Sequence, residues 1–321
     1  MGVRRTASVL LATAVTSAAL VTGCGDGTTK PDPMRDQQYA LTSLKLPDAW
    51  DRAKGDDTVI AVVDTGVDRG HPDLKGRLVD GYDFVDNDND PTDKNGHGTH
   101  VSGIAAAATD NGVGIAGGAP DAKIMPVRVL GADGSGKDAD IAKGITWAAD
   151  HGAHVINLSL GESGLMARLL KGGVLNSAIA AAHSKGAVVV AAAGNDGTAL
   201  QPYKPRTPVL VVGASGPANR PADFSNFGAQ DAVSAPGVKI LSTLPTYATK
   251  ESAKNRTGYG TLDGTSMAAP YVSAVAALLH SQDRNPDQIM AAIRTTAKNP
   301  QKLPKLGLGI VDAAAAVGTA K

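Results

Sequence analysis

The chain has 321 residues, 42% of them hydrophobic, with 31 basic and 31 acidic side chains and a formal net charge of zero. That length can bury one large core, and the lack of a concentrated basic face excludes a nucleic-acid binder, because neutralising phosphates needs one. The 38 glycines are scattered, the mark of turns and close approaches in a densely looped α/β protein rather than of a low-complexity tract.

In chain order the first feature is Arg4-Arg5 followed by an apolar stretch from Ala7 to Val21, which ends in VTGC at the only cysteine, Cys24. A basic start and a short apolar run are the features of a secretion signal. The run falls short of the roughly 20 residues a membrane-spanning helix needs. VTGC resembles the box that bacteria cleave before a cysteine that is then lipid-modified. A single cysteine cannot close an internal disulfide, and attached lipid gives the exposed thiol a use. Residues 1–23 are therefore expected to be a signal peptide. Residues 24–38, rich in Gly, Pro and polar side chains, are expected to be a tether, and residues 39–321 the folded body. The protein is expected at the outer face of a bacterial cell membrane, anchored to the membrane surface through Cys24, with free secretion as the alternative.

Apolar runs of strand length then recur: TVIAVVD ending at Asp64, KIMPVRVL at Leu130, HVINLSL at Leu160, AVVVAAAG at Gly194 and VLVVGAS at Ser215. Continuous Val, Ile and Leu without polar alternation predicts parallel strands buried on both faces. Between them lie two helical stretches, KDADIAKGITWAADHG and GVLNSAIAAAHSKG, closed by Gly152 and Gly186 where left-handed caps are expected. The pattern predicts an α/β fold, a doubly wound and mostly parallel sheet with helices on both faces. In such sheets ligands bind beyond the carboxyl ends of the strands.

Three chemically competent side chains sit at element ends. Asp64 closes its apolar run before the turn TGVD, His97 stands in NGHGTHVSGI at the start of a helical stretch, and Ser266 opens another in GTSMAAP. A serine hydroxyl needs a base, imidazole serves at neutral pH, and a carboxylate fixes its tautomer and stabilises the imidazolium. A serine at a helix N-terminus also has free amides and the positive dipole end beside it, which favour an oxyanion. The lone motif does not separate catalysis from capping; Asp64 and His97 add the rest of the chemistry.

Five aspartates crowd into DFVDNDNDPTD, Asp83 to Asp93, and such a cluster of like charge calls for a hard cation. The spacing of Asp86, Asp88 and Asp90 mimics the start of an EF-hand. Pro91 and His97 occupy the positions of its glycine and closing glutamate, which excludes that motif.

VVDTG, HPDL, GHGTHVSG, VVVAAAGN and GTSMAAP together resemble the motifs of subtilisin-family serine peptidases, nearest the thermitase-like members, over about Trp50 to Ala315. The resemblance implies a serine endopeptidase of broad specificity that hydrolyses polypeptides through an Asp64-His97-Ser266 triad and an acyl-enzyme. Asn195 would hold the oxyanion, and His100 would be a packed supporting histidine. The substrate would bind as an added strand between Gly134, Ser135, Gly136 and Ser159, Leu160, Gly161. The first specificity pocket would lie between Ser159–Gly161 and Ala192–Gly194. The resemblance also implies structural Ca²⁺ and no organic cofactor. One ion would sit at Asp83, Asp88, Asp90 and Thr92, a second at Asp73 and Asn111 with carbonyls of Ala108, Val113 and Ile115, and Asp32 as a further contributor. A monomer is expected. A rival reading keeps the groove without turnover, as an inactive peptide-binding lipoprotein.

Overall fold

The structure, a computed structural model, describes residues 1–2, 30–160, 173–199, 207–253, 255 and 257–321. The expected signal peptide beyond residue 2, Cys24 and Gly161 lie outside the described residues.

The five apolar runs form β1 (Val59–Asp64), β3 (Lys123–Arg128), β4 (Val155–Leu158), β5 (Val188–Ala192) and β6 (Val209–Ser215). Two short strands the pattern missed, β2 (Tyr82–Asp83) and β7 (Val233–Pro236), extend the sheet at its edges. The order is β2-β3-β1-β4-β5-β6-β7, and every neighbouring pair is parallel. Because successive strands run first to one side of β1 and then to the other, β1 is the switch point, and a crevice opens beyond its carboxyl end. β8 (Ile240–Thr243) and β9 (Tyr259–Leu262) form a separate antiparallel pair.

Alternation within β1 shows why its run is apolar throughout. Ile60 and Val62 enter one core with α3 (His97–Ala106) and α6 (Thr265–His280). Ala61 and Val63 enter the other with α4 (Asp138–Asp150) and α5 (Val174–Ser184). Gly152 and Gly186 follow the last two helices with φ of 87° and 94°, the left-handed turn expected of them. The remaining helices are α1 (Tyr39–Ser43), α2 (Leu46–Trp50), α7 (Pro286–Thr296) and α8 (Ala313–Val317). All four pack against the first core.

Folded structure begins earlier than the tether reading allowed. Lys30 pairs with Asn111, the Met34 amide donates to the Gly114 carbonyl at 2.8 Å, and the Gln38 amide group is buried against Ala116. Residues 30–38 therefore belong to the body, held by partners some 80 residues away that no local pattern reveals.

Candidate active site

The turn after β1 and the first turn of α3 touch, and two glycines allow it. A Cβ on Gly66, at φ 106°, would lie 2.4 Å from the Pro91 carbonyl oxygen, and one on Gly98 would lie 2.2 Å from that of Gly66. This contact brings His97 Nδ1–H to donate to Asp64 Oδ1 at 2.8 Å. The Thr65 amide donates to the same oxygen at 2.7 Å, while Oδ2 is buried with no partner among the described residues. Asp64 is fully buried and the His97 side chain 23% exposed. Burial pushes the imidazole down. The Asp64 carboxylate, through charge and hydrogen bond, outweighs it with help from Asp93 and Glu251, so the pKa of His97 stands above the ordinary histidine value. His100 one turn on is buried, bonded to the Gly260 carbonyl at 3.1 Å and pushed by burial to about 3. It is a packed neutral histidine.

Ser266 occupies the first turn of α6. Pro270 has no amide to donate four residues back, which leaves the Ser266 carbonyl without a helical partner. The Ser159 hydroxyl takes that place at 2.8 Å, and Ser266 Oγ donates in return to the Ser159 carbonyl at 3.0 Å. Behind this pair Asn157 donates to Ser159 Oγ and Ser273 donates to Asn157, so a buried polar chain ties the helix start to β4. With its hydroxyl engaged there, Ser266 makes no hydrogen bond to His97; in active sites free of substrate such bonds are often long or poorly aligned.

Asn195 follows β5. Its Oδ1 accepts from the Thr265 amide at 2.9 Å and the Thr265 hydroxyl at 3.0 Å. Two donors on the oxygen fix the amide orientation and leave Nδ2 as the donor on the other side. Asn226 shapes the loop around it, accepting from the amides of Asp196 and Thr198 and donating to the Ala193 carbonyl.

Strand register brings these pieces together. Val62 pairs with Asn157, so two residues on Asp64 stands level with Ser159, which holds Ser266. Leu158 pairs with Ala191, so Ser159 stands level with Ala192. Gly134, Ser135 and Gly136 follow β3, and Ser159 and Leu160 follow β4, the two strands that flank β1. The expected groove walls thus rise on either side of Asp64. Gly134 has φ 90° within a tight turn closed by the Gly131 amide on the Ser135 carbonyl at 2.8 Å.

At the second expected cation site, Asp73 Oδ1 accepts from Asn111 Nδ2 at 2.9 Å and Oδ2 from the Ile115 amide at 2.8 Å. Asp32 accepts from the amides of Asp110 and Asn111. Both carboxylates are buried, and neither has a basic side-chain partner among the described residues. Burial pushes Asp73 up to about 6, and the charge of Asp32 adds to the rise. Ala108, Val113 and Ile115 lie on the same loop, so the donor set is all oxygen and suits a hard cation.

The acidic loop is different. Asp83 and Asp86 pair with the buried Arg128, and Asp86 with Lys94 at 2.7 Å. Asp88 caps the Asp90 amide at 2.8 Å, and Asp90 accepts from the Thr92 hydroxyl at 2.7 Å, all three exposed or half-buried. Arg128 and Lys94 offset Asp83 and Asp86, while Asp88 and Asp90 have no basic side-chain partner among the described residues. Among the described residues no group of three His, Cys, Asp or Glu side chains converges as a metal site.

Sequence reasoning missed Thr265, Asn226, Arg128 and Asp93. Thr265 adjoins Ser266 and was open to notice; Asn226 and Arg128 act on partners 28 or more residues away and carry no local signal.

A family model described as the subtilase family matches residues 55–313. Over 262 residues the chain is 47% identical to thermitase of Thermoactinomyces vulgaris, covering 81% of this chain and 88% of thermitase. It is 49% identical over 263 residues to the thermophilic serine proteinase of Bacillus sp. (strain AK1), covering 81% of this chain and 61% of that one. Among solved structures, a protease from Pseudoalteromonas arctica PAMC 21717 superposes with a TM-score of 0.77 at 36% identity, covering 90% of this chain and 98% of that one.

Proposed function

We propose, from the premise that this chain belongs to the subtilase family and is a serine endopeptidase acting on polypeptides, that Asp64, His97 and Ser266 are its catalytic triad and Asn195 its oxyanion donor. The observation that carries the assignment is the 2.8 Å Asp64–His97 hydrogen bond at the end of the switch-point strand.

In this reading Ser266 Oγ leaves the Ser159 carbonyl and turns to His97 Nε2, which takes its proton as Oγ attacks the scissile carbonyl carbon. The oxyanion is held by Asn195 Nδ2 and the Ser266 amide at the positive end of α6. The proton passes to the leaving amine. Water then repeats the sequence on the acyl-enzyme, with Ser266 released and a carboxylic acid formed. Asp64, with one oxygen otherwise unpartnered, gains most when the imidazole is charged. Gly134, Ser135 and Gly136 with Ser159, Leu160 and Gly161 bind the substrate as a strand. Ala192 and Gly194 close the first pocket.

Calcium would be held by Asp32, Asp73 and Asn111 with carbonyls of Ala108, Val113 and Ile115, where it neutralises two buried carboxylates and fastens the chain start to the 108–115 loop. A further Ca²⁺ at Asp83, Asp88, Asp90 and Thr92 would supply the positive charge that Arg128 and Lys94, paired with Asp83 and Asp86, do not bring to Asp88 and Asp90. The body acts as a monomer, exported by the segment 1–23 and anchored through a lipidated Cys24, with the tether ending near residue 29. No helix among the described residues is long and apolar enough to cross a membrane.

A fluorophosphonate probe tests the assignment. Wild-type protein should be labelled at Ser266, and Ser266→Ala and His97→Ala proteins should not. Labelling at another residue, or undiminished labelling of either variant, would refute it.

A further inference from the structure

A fully buried carboxylate beside the site has no part in the steps above. Asp93 Oδ1 accepts from the Thr65 hydroxyl at 2.9 Å, the Asn95 amide at 2.9 Å and the Gly96 amide at 2.7 Å. Its Oδ2 accepts from the Thr99 amide at 2.9 Å and the Thr99 hydroxyl at 2.6 Å. Five donors from two separate segments thus converge on one side chain.

Three of the five are amides around the start of α3, and a carboxylate there could do no more than cap the helix. Thr65 shows that it does more. That residue follows Asp64 directly and is not part of α3. Its amide donates to Asp64, its hydroxyl donates to Asp93, and the same hydroxyl accepts from the Gly98 amide at 2.8 Å. Gly98 is the residue after His97. A shift of Asp93 would therefore move both partners of the Asp64–His97 bond.

We propose that Asp93 is a positioning residue for His97: its carboxylate locks the turn after Asp64 to the first turn of α3 and lays a second negative charge beside the imidazole. The inference rests on the triad reading above. Among the described residues four titratable groups act on or beside His97: Asp64 from β1, Asp93 from the preceding loop, Glu251 from the loop after β8, and neutral His100 from its own helix. Asp64 bonds the ring and Glu251 is half-buried, whereas Asp93 combines full burial with a rigid set of donors, so its charge is the less screened of the two that do not touch the imidazole. Asparagine could not replace it, since one of its two heads is an amide NH2 whose hydrogens would face donors.

The test measures kcat, KM and melting temperature from pH 5 to 10 for full-length Asp93→Asn, Thr65→Val and Thr65→Ser, with His97→Ala as reference. Asp93→Asn should lower kcat about tenfold or more, because catalytic geometry is loosened. KM should stay within about twofold, and the acid limb of kcat/KM should move down by about half a pH unit, as loss of a nearby charge requires. Thr65→Val should lower kcat without moving that limb, and Thr65→Ser should restore it. A lower melting temperature for Asp93→Asn with kcat and the acid limb unchanged would reduce Asp93 to a helix cap and overturn the proposal. Should Asp93→Asn fail to fold, wild-type kcat in Thr65→Val would overturn it equally. Turnover surviving in His97→Ala would instead sink the triad reading itself.

Discussion

In the proposed triad, protonation of one ring decides turnover. His97 must be neutral to accept the proton of Ser266, and its pKa is held above the ordinary value by Asp64, Asp93 and Glu251 against the opposing effect of burial. Below that pKa the ring is charged and the rate falls; above it the rate reaches a plateau. The acid limb of kcat/KM should therefore have its midpoint above about 6.5, the ordinary histidine value, and a midpoint clearly below 6.5 in a pH–rate profile would contradict the assignment. The three side chains proposed as the triad were legible in sequence because each sits where a periodic segment begins or ends, next to turn glycines. Asp93 was not. It was one of five crowded aspartates, and what sets it apart, the Thr65 hydroxyl, lies 28 residues away.

Between elements the decisive contact is the turn after β1 against the start of α3. Gly98→Ala would place a methyl group where 2.2 Å separates it from the Gly66 carbonyl, and relief requires the two segments to part. We expect a loss of about 1–3 kcal/mol in stability and a fall in turnover of at least tenfold, read by denaturant unfolding and peptide hydrolysis; an active, equally stable variant would show that the contact is not needed. The loop 108–115 makes the second element-scale prediction. With calcium bound at Asp32 and Asp73, chelation should lower the melting temperature, and Asp73→Asn should remove most of the difference between chelated and calcium-loaded protein. No response to chelator in wild-type protein would remove calcium from this site. The five long strands could be read because both their faces are buried, so Val and Ile run unbroken. β2, β7, β8 and β9 could not: β2 has two residues, and the other three have four each, with Pro236 in β7 and Gly260 in β9.

Taken as one molecule, the protein keeps its chemistry at the carboxyl edge of the sheet and a pair of stacked histidines at the other. His154 and His280 have ring centroids 4.0 Å apart, and His154 Nδ1 accepts the Val59 amide, which only an unprotonated nitrogen can do. Burial pushes both below the ordinary histidine value. A lowered histidine pKa means the unfolded chain takes up protons first, so stability should be lost as pH falls below about 6.5. Melting temperature should drop between pH 7 and 5, and the drop should be shallower in His280→Gln; an unchanged slope in that variant would clear the pair of responsibility. The parallel, doubly wound sheet was implied by the unbroken apolar runs and the helical stretches between them, whereas the strand order, which includes the missed β2 and β7, was not. The early start of the body at Lys30 was not, because residues 30–38 are ordered by donors and acceptors at 110–116 rather than by any pattern of their own.

The most direct measurement is a crystal structure of the protein treated with a peptidyl boronic acid. A covalent bond from Ser266 Oγ to boron is predicted, with one boronate oxygen on Asn195 Nδ2, His97 bridging Asp64 and the adduct, and the peptide lying between residues 134–136 and 159–161. Boron bound elsewhere, or His97 and Asn195 turned away from the adduct, would contradict the account.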